Sequence, residues 1–192
     1  MGSQVDAVAA HYIAHWGVPT DIRPRHLSGI GPFALFEFPP RGTRRTWRYA
    51  TNGMSALVQT PPEGGRAPRT ELYACTSQRT PWVDDLLGAI ASYPHDYGTS
   101  LSEGDTIGVG QPIDRSCSCF TGILLAPPGP MERTIGLVGS VPEDILVHQV
   151  VGILPSELRF ARHRGGGELW SRLVNLGELL LDIPRSASVS ST

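Results

Sequence analysis

Apolar residues recur at helical spacing in three stretches. Between residues 80 and 97, Trp82, Leu86 and Ile90 repeat every four positions, and Val83, Leu87 and Tyr93 widen the same stripe. Thr80 reads as the N-cap and Pro81 as the first helical residue. Asp84 and Asp85 are expected to face away from the core near the positive dipole end, and Pro94 to end the helix. An earlier helix starts at Ser3, buries Val5, Val8, Tyr12, Ile13 and Trp16, and stops at Gly17. Near the other end, Pro155 and Ser156 open a short helix that runs through Arg162. Gly165, Gly166 and Gly167 interrupt it, and Glu168 to Leu181 reads as a longer helix with Leu169, Leu173, Leu176 and Leu180 on one face.

Strand-like runs lie between these helices. They cover residues 33–38, 44–50, 70–76, 106–109 and 120–125, with a short edge strand at 134–138. Residues 145–154 form the longest β-rich run and are expected at the centre of a sheet. Thr51, Asn52, Gly53 and Met54 suggest a tight turn or bulge before a short apolar run at 56–58. Residues 18–32 read as a Pro-rich crossing, and residues 61–68 as a mobile surface loop. Strands and helices mix without regular βαβ alternation. That predicts an α+β fold, with a central mixed sheet flanked by helices. The expected organisation is an N-terminal helix and crossing packed on the domain (1–29), the domain itself (30–185), and a disordered tail (186–192).

Composition changes this picture little. The 192 residues are 40% hydrophobic and 18% charged, as in ordinary globular chains. A net charge of −2 offers no general attraction to nucleic acid or to an anionic membrane. All 16 basic residues are arginine. With no charged and apolar leader at the start, no apolar run near 20 residues, and three cysteines (Cys75, Cys117 and Cys119), the expectation is a reduced, cytoplasmic protein.

Candidate chemistry is sparse. No G-x-S-x-G elbow is present, and Cys117 and Cys119 lack the further ligands of a zinc site. His11 and His15 stand four apart without the glutamate of a metalloprotease motif. Gly108 and Gly110 precede Pro112 rather than a phosphate-binding helix, and the glycines at 165–167 read as a break between helices. Arg41, Arg44, Arg45 and Arg48 flank Trp47 and Tyr49 and read as a solvated strand face rather than an RNA site. Asp84, Asp85, Asp96, Glu103 and Asp105 gather around the residue 82–93 helix and its following loop, where they can stabilise the dipole, form turns, or present a negative surface. No cofactor, metal or catalytic residue is expected.

The order of motifs resembles the Suppressor of fused (SUFU) domain family. The matching residues are Trp47 through Ser55 (WRYATNGMS), Thr70 to Tyr73 (TELY), Thr80-Pro81-Trp82 with its helix, and Tyr93. Gly104 to Ile107 (GDTI), Gln111 to Asp114 (QPID), Leu124-Leu125, Gln149 to Ile153 (QVVGI), Ser156 to Leu158 and Leu181 to Ile183 follow in order. The resemblance covers roughly residues 30 to 185, about one domain. It implies a non-enzymatic α/β protein-binding domain. Animal members add a short peptide as a β-strand. Stand-alone bacterial members resemble immunity proteins that neutralise a cognate toxin of a polymorphic toxin system. On this reading the partner is another protein. It docks on an exposed strand edge at Tyr49, Thr51, Met54 and Leu57, or on an acidic loop carrying Asp96, Glu103 and Asp105. The rival readings are a small hydrolase or transferase using Cys119 or His95, and a structural assembly component.

Overall fold

The sheet is built around the long apolar run near residue 150. In the computed structural model, β8 (Ile145–Ile153) is buried at every position except Leu146. The described residues are 2–27, 31–56, 59–61, 65, 68–114, 119–129, 137–138, 145–177, 179–185 and 188. Along the chain come α1 (Gly2–Trp16), β1 (Asp21–Leu27), β2 (Gly31–Phe38), β3 (Trp47–Asn52) and a 3-10 turn at Met54–Ala56. β4 (Thr70–Thr76), α2 (Trp82–Tyr97), β5 (Thr106–Gly108), β6 (Gly122–Ala126) and β7 (Leu137–Val138) follow. After β8 come α3 (Pro155–Arg164), α4 (Gly166–Leu173) and a 3-10 turn at Val174–Leu176. Strand order is β1-β2-β3-β4-β8-β6-β5, with β7 also on β8. Only β4 and β8 pair in parallel, so the fold is α+β on one mixed sheet.

Strand alternation sends Leu72 and Ala74 to one face of the sheet and Tyr73 and Cys75 to the other. On the first face they join Val83, Leu87 and Ile90 of α2 with Leu35, Tyr49, Ile123 and Val150. On the second they meet Val8, Tyr12 and Trp16 of α1 with Phe36, Phe38 and Val147. α3 and α4 cover the far end of that second face, where Leu169 and Leu173 pack on Leu124, Val151 and Ile153.

Several elements depart from the sequence pattern. The crossing at 18–32 contains an edge strand, β1, paired over its whole length with β2. Its alternation is one of charge, so no apolar period marks it. Asp84 does not face solvent: it is 2% exposed and forms an ion pair with Arg23 of β1, beside the Arg23–Glu37 pair at 2.6 Å. The buried stripe of α2 therefore runs through Val83, Leu87, Ile90 and Pro94, with Trp82 and Leu86 at its margin. α2 continues through Pro94 to Gly98, whose left-handed φ of 62° closes the helix. Thr80 is no side-chain cap, because its hydroxyl donates to Gln78 O at 2.8 Å. Ile13 lies off the stripe of α1 and is 41% exposed. The last helix stops at Leu173, and the chain turns at Gly177 (φ 91°), leaving Leu176 exposed. The arginine cluster is only partly a solvated face: Arg41 and Arg45 are exposed, whereas Arg48 is buried against Thr46 and Arg44 bonds the carbonyls of Pro39 and Trp16. The 186–192 tail lies outside the described residues apart from Ser188, as does most of the 61–68 loop.

One buried carboxylate organises the β3–β4 connection. Glu71 accepts from Thr51 Oγ1 at 2.6 Å, Gly53 N at 3.0 Å, Ser55 N at 2.9 Å and Ser55 Oγ at 2.7 Å. Burial raises its pKa from the ordinary carboxylate value, and these donors oppose the rise without cancelling it. Glu71→Ala leaves two buried N–H groups without acceptors and should cost about 3 kcal/mol in urea denaturation. Glu71→Gln keeps one acceptor and should cost less than half of that.

His148 on β8 is 3% exposed, and its Nε2 has no hydrogen-bond partner among the described residues. Burial depresses its pKa to about 4. A base with a depressed folded-state pKa stabilises the fold fully above its unfolded pKa of about 6.5, and that contribution is lost as pH falls toward 4. The loss should be on the order of 3 kcal/mol, and His148→Leu should flatten the stability profile over that interval in pH-dependent denaturation.

Candidate functional site

The two edges of the sheet are finished differently. On β1, Pro24 removes a donor, while Arg23 and Arg79 bracket the buried Glu37 at 2.6 and 2.7 Å. β5, at the opposite edge, is three residues long. Asp105 O accepts from Leu125 N, and Val109 N donates to Thr121 O, both at 2.9 Å. By antiparallel alternation Ile107 also faces β6, so the N–H and C=O groups of Thr106 and Gly108 point outward. Among the described residues no strand pairs with that outer side.

A cleft of about 460 Å³ opens beside this edge, on the α2 face. The last turn of α2 contributes Tyr93 and Tyr97, with ring centroids 4.4 Å apart and Tyr97 70% exposed. The loop at 99–102 forms its floor, and Asp105, Thr106 and Ile107 form the β5 wall. The loop is tied down at both ends. Leu101 is buried in the core, and its N–H donates to Gln59 Oε1 at 2.8 Å, while Gln59 Nε2 donates to Thr70 Oγ1 at 2.7 Å. Gly104 N donates to Leu125 O at 2.8 Å. Asp105 accepts from Ser102 N at 2.7 Å, and partial burial raises its pKa above the usual aspartate value. The walls thus offer an aromatic pair, one carboxylate and two outward backbone groups.

Two proposed surfaces can now be placed. β3 lies between β2 and β4, so it has no free edge, and Tyr49, Thr51 and Met54 are at most 1% exposed. Their polar atoms serve the fold: Thr80 N donates to Tyr49 Oη at 2.6 Å, and Thr51 binds Glu71. The expected exposed edge there is corrected to an interior strand. Leu57 lies outside the described residues. Of the acidic group, Asp105 lines the cleft. Asp96 is exposed on α2 and accepts from Ser92 Oγ at 2.8 Å, and Glu103 is exposed in the turn before β5. The sequence pattern marks Tyr93 as part of the apolar stripe of α2 and Thr106 as the start of a strand, and both as parts of family motifs. Their role as cleft walls becomes visible once β5 is known to be an edge. Cys119 is exposed, His95 is half-buried in α2, and no group of three potential metal ligands occurs among the described residues. No described helix is long and apolar enough to cross a membrane.

One mixed sheet, covered by helices on both faces and ending beside an aromatic cleft in a short strand that pairs on one side only among the described residues, defines an α+β domain. The chain belongs to the Suppressor of fused family: the sequence model for Suppressor of fused protein (SUFU) matches residues 30–186. That family is one of non-enzymatic regulatory proteins. The fold is similar to a SUFU homologue from Neisseria gonorrhoeae FA 1090, with a TM-score of 0.77 at 19% identity and 100% of both chains covered. It is also similar to a chain of the Sufu-Fu complex, with a TM-score of 0.70 at 20% identity over 96% of this chain and 90% of that one. With Drosophila Suppressor of Fused the TM-score is 0.64 at 21% identity, covering 88% of this chain and 45% of that one. No curated protein sequence matches the chain.

The turn that carries Asp105 rests on α4. A Cβ on Gly166 would lie 1.9 Å from Gly104 O, whereas one on Gly167 would meet nothing within 4 Å. Gly166→Ala should cost about 2 kcal/mol and speed hydrogen exchange at residues 102–106, because a backbone carbonyl must move. Gly167→Ala should leave both measurements unchanged.

Proposed function

We propose that this domain binds another protein by taking an extended segment of it as an added strand on the outer edge of β5. One side chain of that segment enters the cleft between Tyr93 and Asp105. The observation that carries this reading is the unpaired edge at Thr106 and Gly108 directly beside that cleft. Main-chain bonds along an edge supply affinity without regard to sequence, and the cleft selects the side chain. The tethered 99–105 loop keeps the walls in place before binding, which lowers the entropy cost of association. One structural relative comes from a Sufu-Fu complex, a protein bound to a protein, which agrees with this use of the fold.

The partner we propose is a toxin whose activity the domain blocks by direct binding in the cytoplasm, without an enzymatic step of its own. The likeness of stand-alone bacterial SUFU-like proteins to immunity proteins supports this, as does full-length similarity to a bacterial homologue. Thr106→Pro removes one outward N–H and no bond to β6, so the fold should keep its Tm within about 2 °C. It should weaken capture of a toxin encoded beside the gene at least tenfold in calorimetry, and Asp105→Arg should do likewise. Undiminished binding by both variants sinks the edge reading, and failure to bind any neighbouring toxin sinks the immunity reading.

A further inference from the structure

The face of β5 opposite the cleft carries a second feature. A Cβ built on Gly108 would lie 3.1 Å from Leu158 Cδ2 and 3.2 Å from Arg162 Nη2, so the Arg162 guanidinium hangs over the outer end of the strand. Leu158 of α3 is partly buried against the core of that face and holds the helix over the sheet. Arg162 is exposed and makes no hydrogen bond or ion pair among the described residues. Other arginines near strands and helix ends are already engaged: Arg23 and Arg79 with Glu37, Arg185 with Glu157, and Arg172 over the Phe160 ring. A cation without a counter-charge among the described residues, lying over the end of β5, matches a carboxylate brought in by the bound strand.

We propose that Arg162 is an anion-recognition residue for the segment bound on β5, and that this segment carries an Asp or Glu on the face turned away from the cleft. The inference rests on strand addition at β5. Side chains of an added strand alternate between faces, so the carboxylate lies an odd number of residues from the side chain that enters the cleft. Ile107 and Asp105 face the cleft, whereas Gly108 faces α3, three residues beyond Asp105 and about 10 Å along the strand. Arg162 thereby sets the register of the partner as well as its charge, because a one-residue slip would carry the carboxylate to the wrong face.

The test pans a random dodecapeptide phage library on the full chain and carries the best binder into a double-mutant cycle. The probe is that synthetic peptide, measured by calorimetry against wild type, Arg162→Ala, Arg162→Glu and Thr106→Pro. An acidic residue in the peptide is expected, with Ala substitution there weakening wild-type binding roughly two- to fivefold, as befits a half-solvated ion pair. The same peptide change should have no effect on Arg162→Ala, and replacing the acidic residue by Lys should restore binding to Arg162→Glu. A peptide that needs Thr106 but shows no coupling to Arg162 overturns this inference and leaves strand addition standing. Recovered peptides that ignore Thr106→Pro, or no recovered peptides at all, overturn both.

Discussion

The Glu71 carboxylate is the constraint on which much else depends. It is buried beneath α1 and must be surrounded by donors, and the only way the chain provides them is to fold residues 51–55 around it. That forces β3 to end at Asn52 and the backbone to turn at Gly53, where φ is 102°. The turn delivers Gln59 to the position where its two ends bond Thr70 and Leu101. Leu101 anchors the loop that floors the cleft. Thr70, the residue before Glu71, is therefore tied through Gln59 to Leu101 and the loop that precedes β5.

A second constraint comes from the sheet itself, which must end somewhere. At β1 the ending is defended by Pro24 and by the Arg23, Arg79, Glu37 and Asp84 charges, which also fasten the edge to the start of α2. At β5 no such device is built from the described residues. The strand is short enough to avoid indiscriminate pairing, yet it is flanked by a carboxylate on one face and a guanidinium on the other. The two edges thus differ: β1 is blunted by Pro24 and an ion-pair cluster, whereas β5 carries no such device among the described residues.

How far the fold was legible depended on whether burial left a periodic trace. The α1 stripe of Val8, Tyr12 and Trp16 and the long run of β8 could be read because their surroundings are apolar on the face that counts. β1 could not, since its inward residues Asp21, Arg23 and Arg25 are charged and pair with Arg79, Glu37 and Asp85, all remote in sequence. Asp84 and Arg48 were misread for the same reason: local pattern places a charge outside unless its counter-group is known. The candidate site was legible in part. Asp105 belonged to a recognisable acidic loop, whereas Tyr49, Thr51 and Met54 belonged to a recognisable motif whose work is internal packing.

Sequence alone determined the class of fold, the family and the composition of each element, because hydrophobic period, turn residues and motif order are local properties of the chain. It also identified WRYATNGMS and TELY as belonging together, without saying why. Tertiary structure decided which strand is interior and which is an edge, and so which residues a partner can reach. That decision depends on pairing between strands distant in sequence, such as β4 with β8, and on a carboxylate meeting donors 16 to 20 residues away. Neither leaves a periodic mark in the chain.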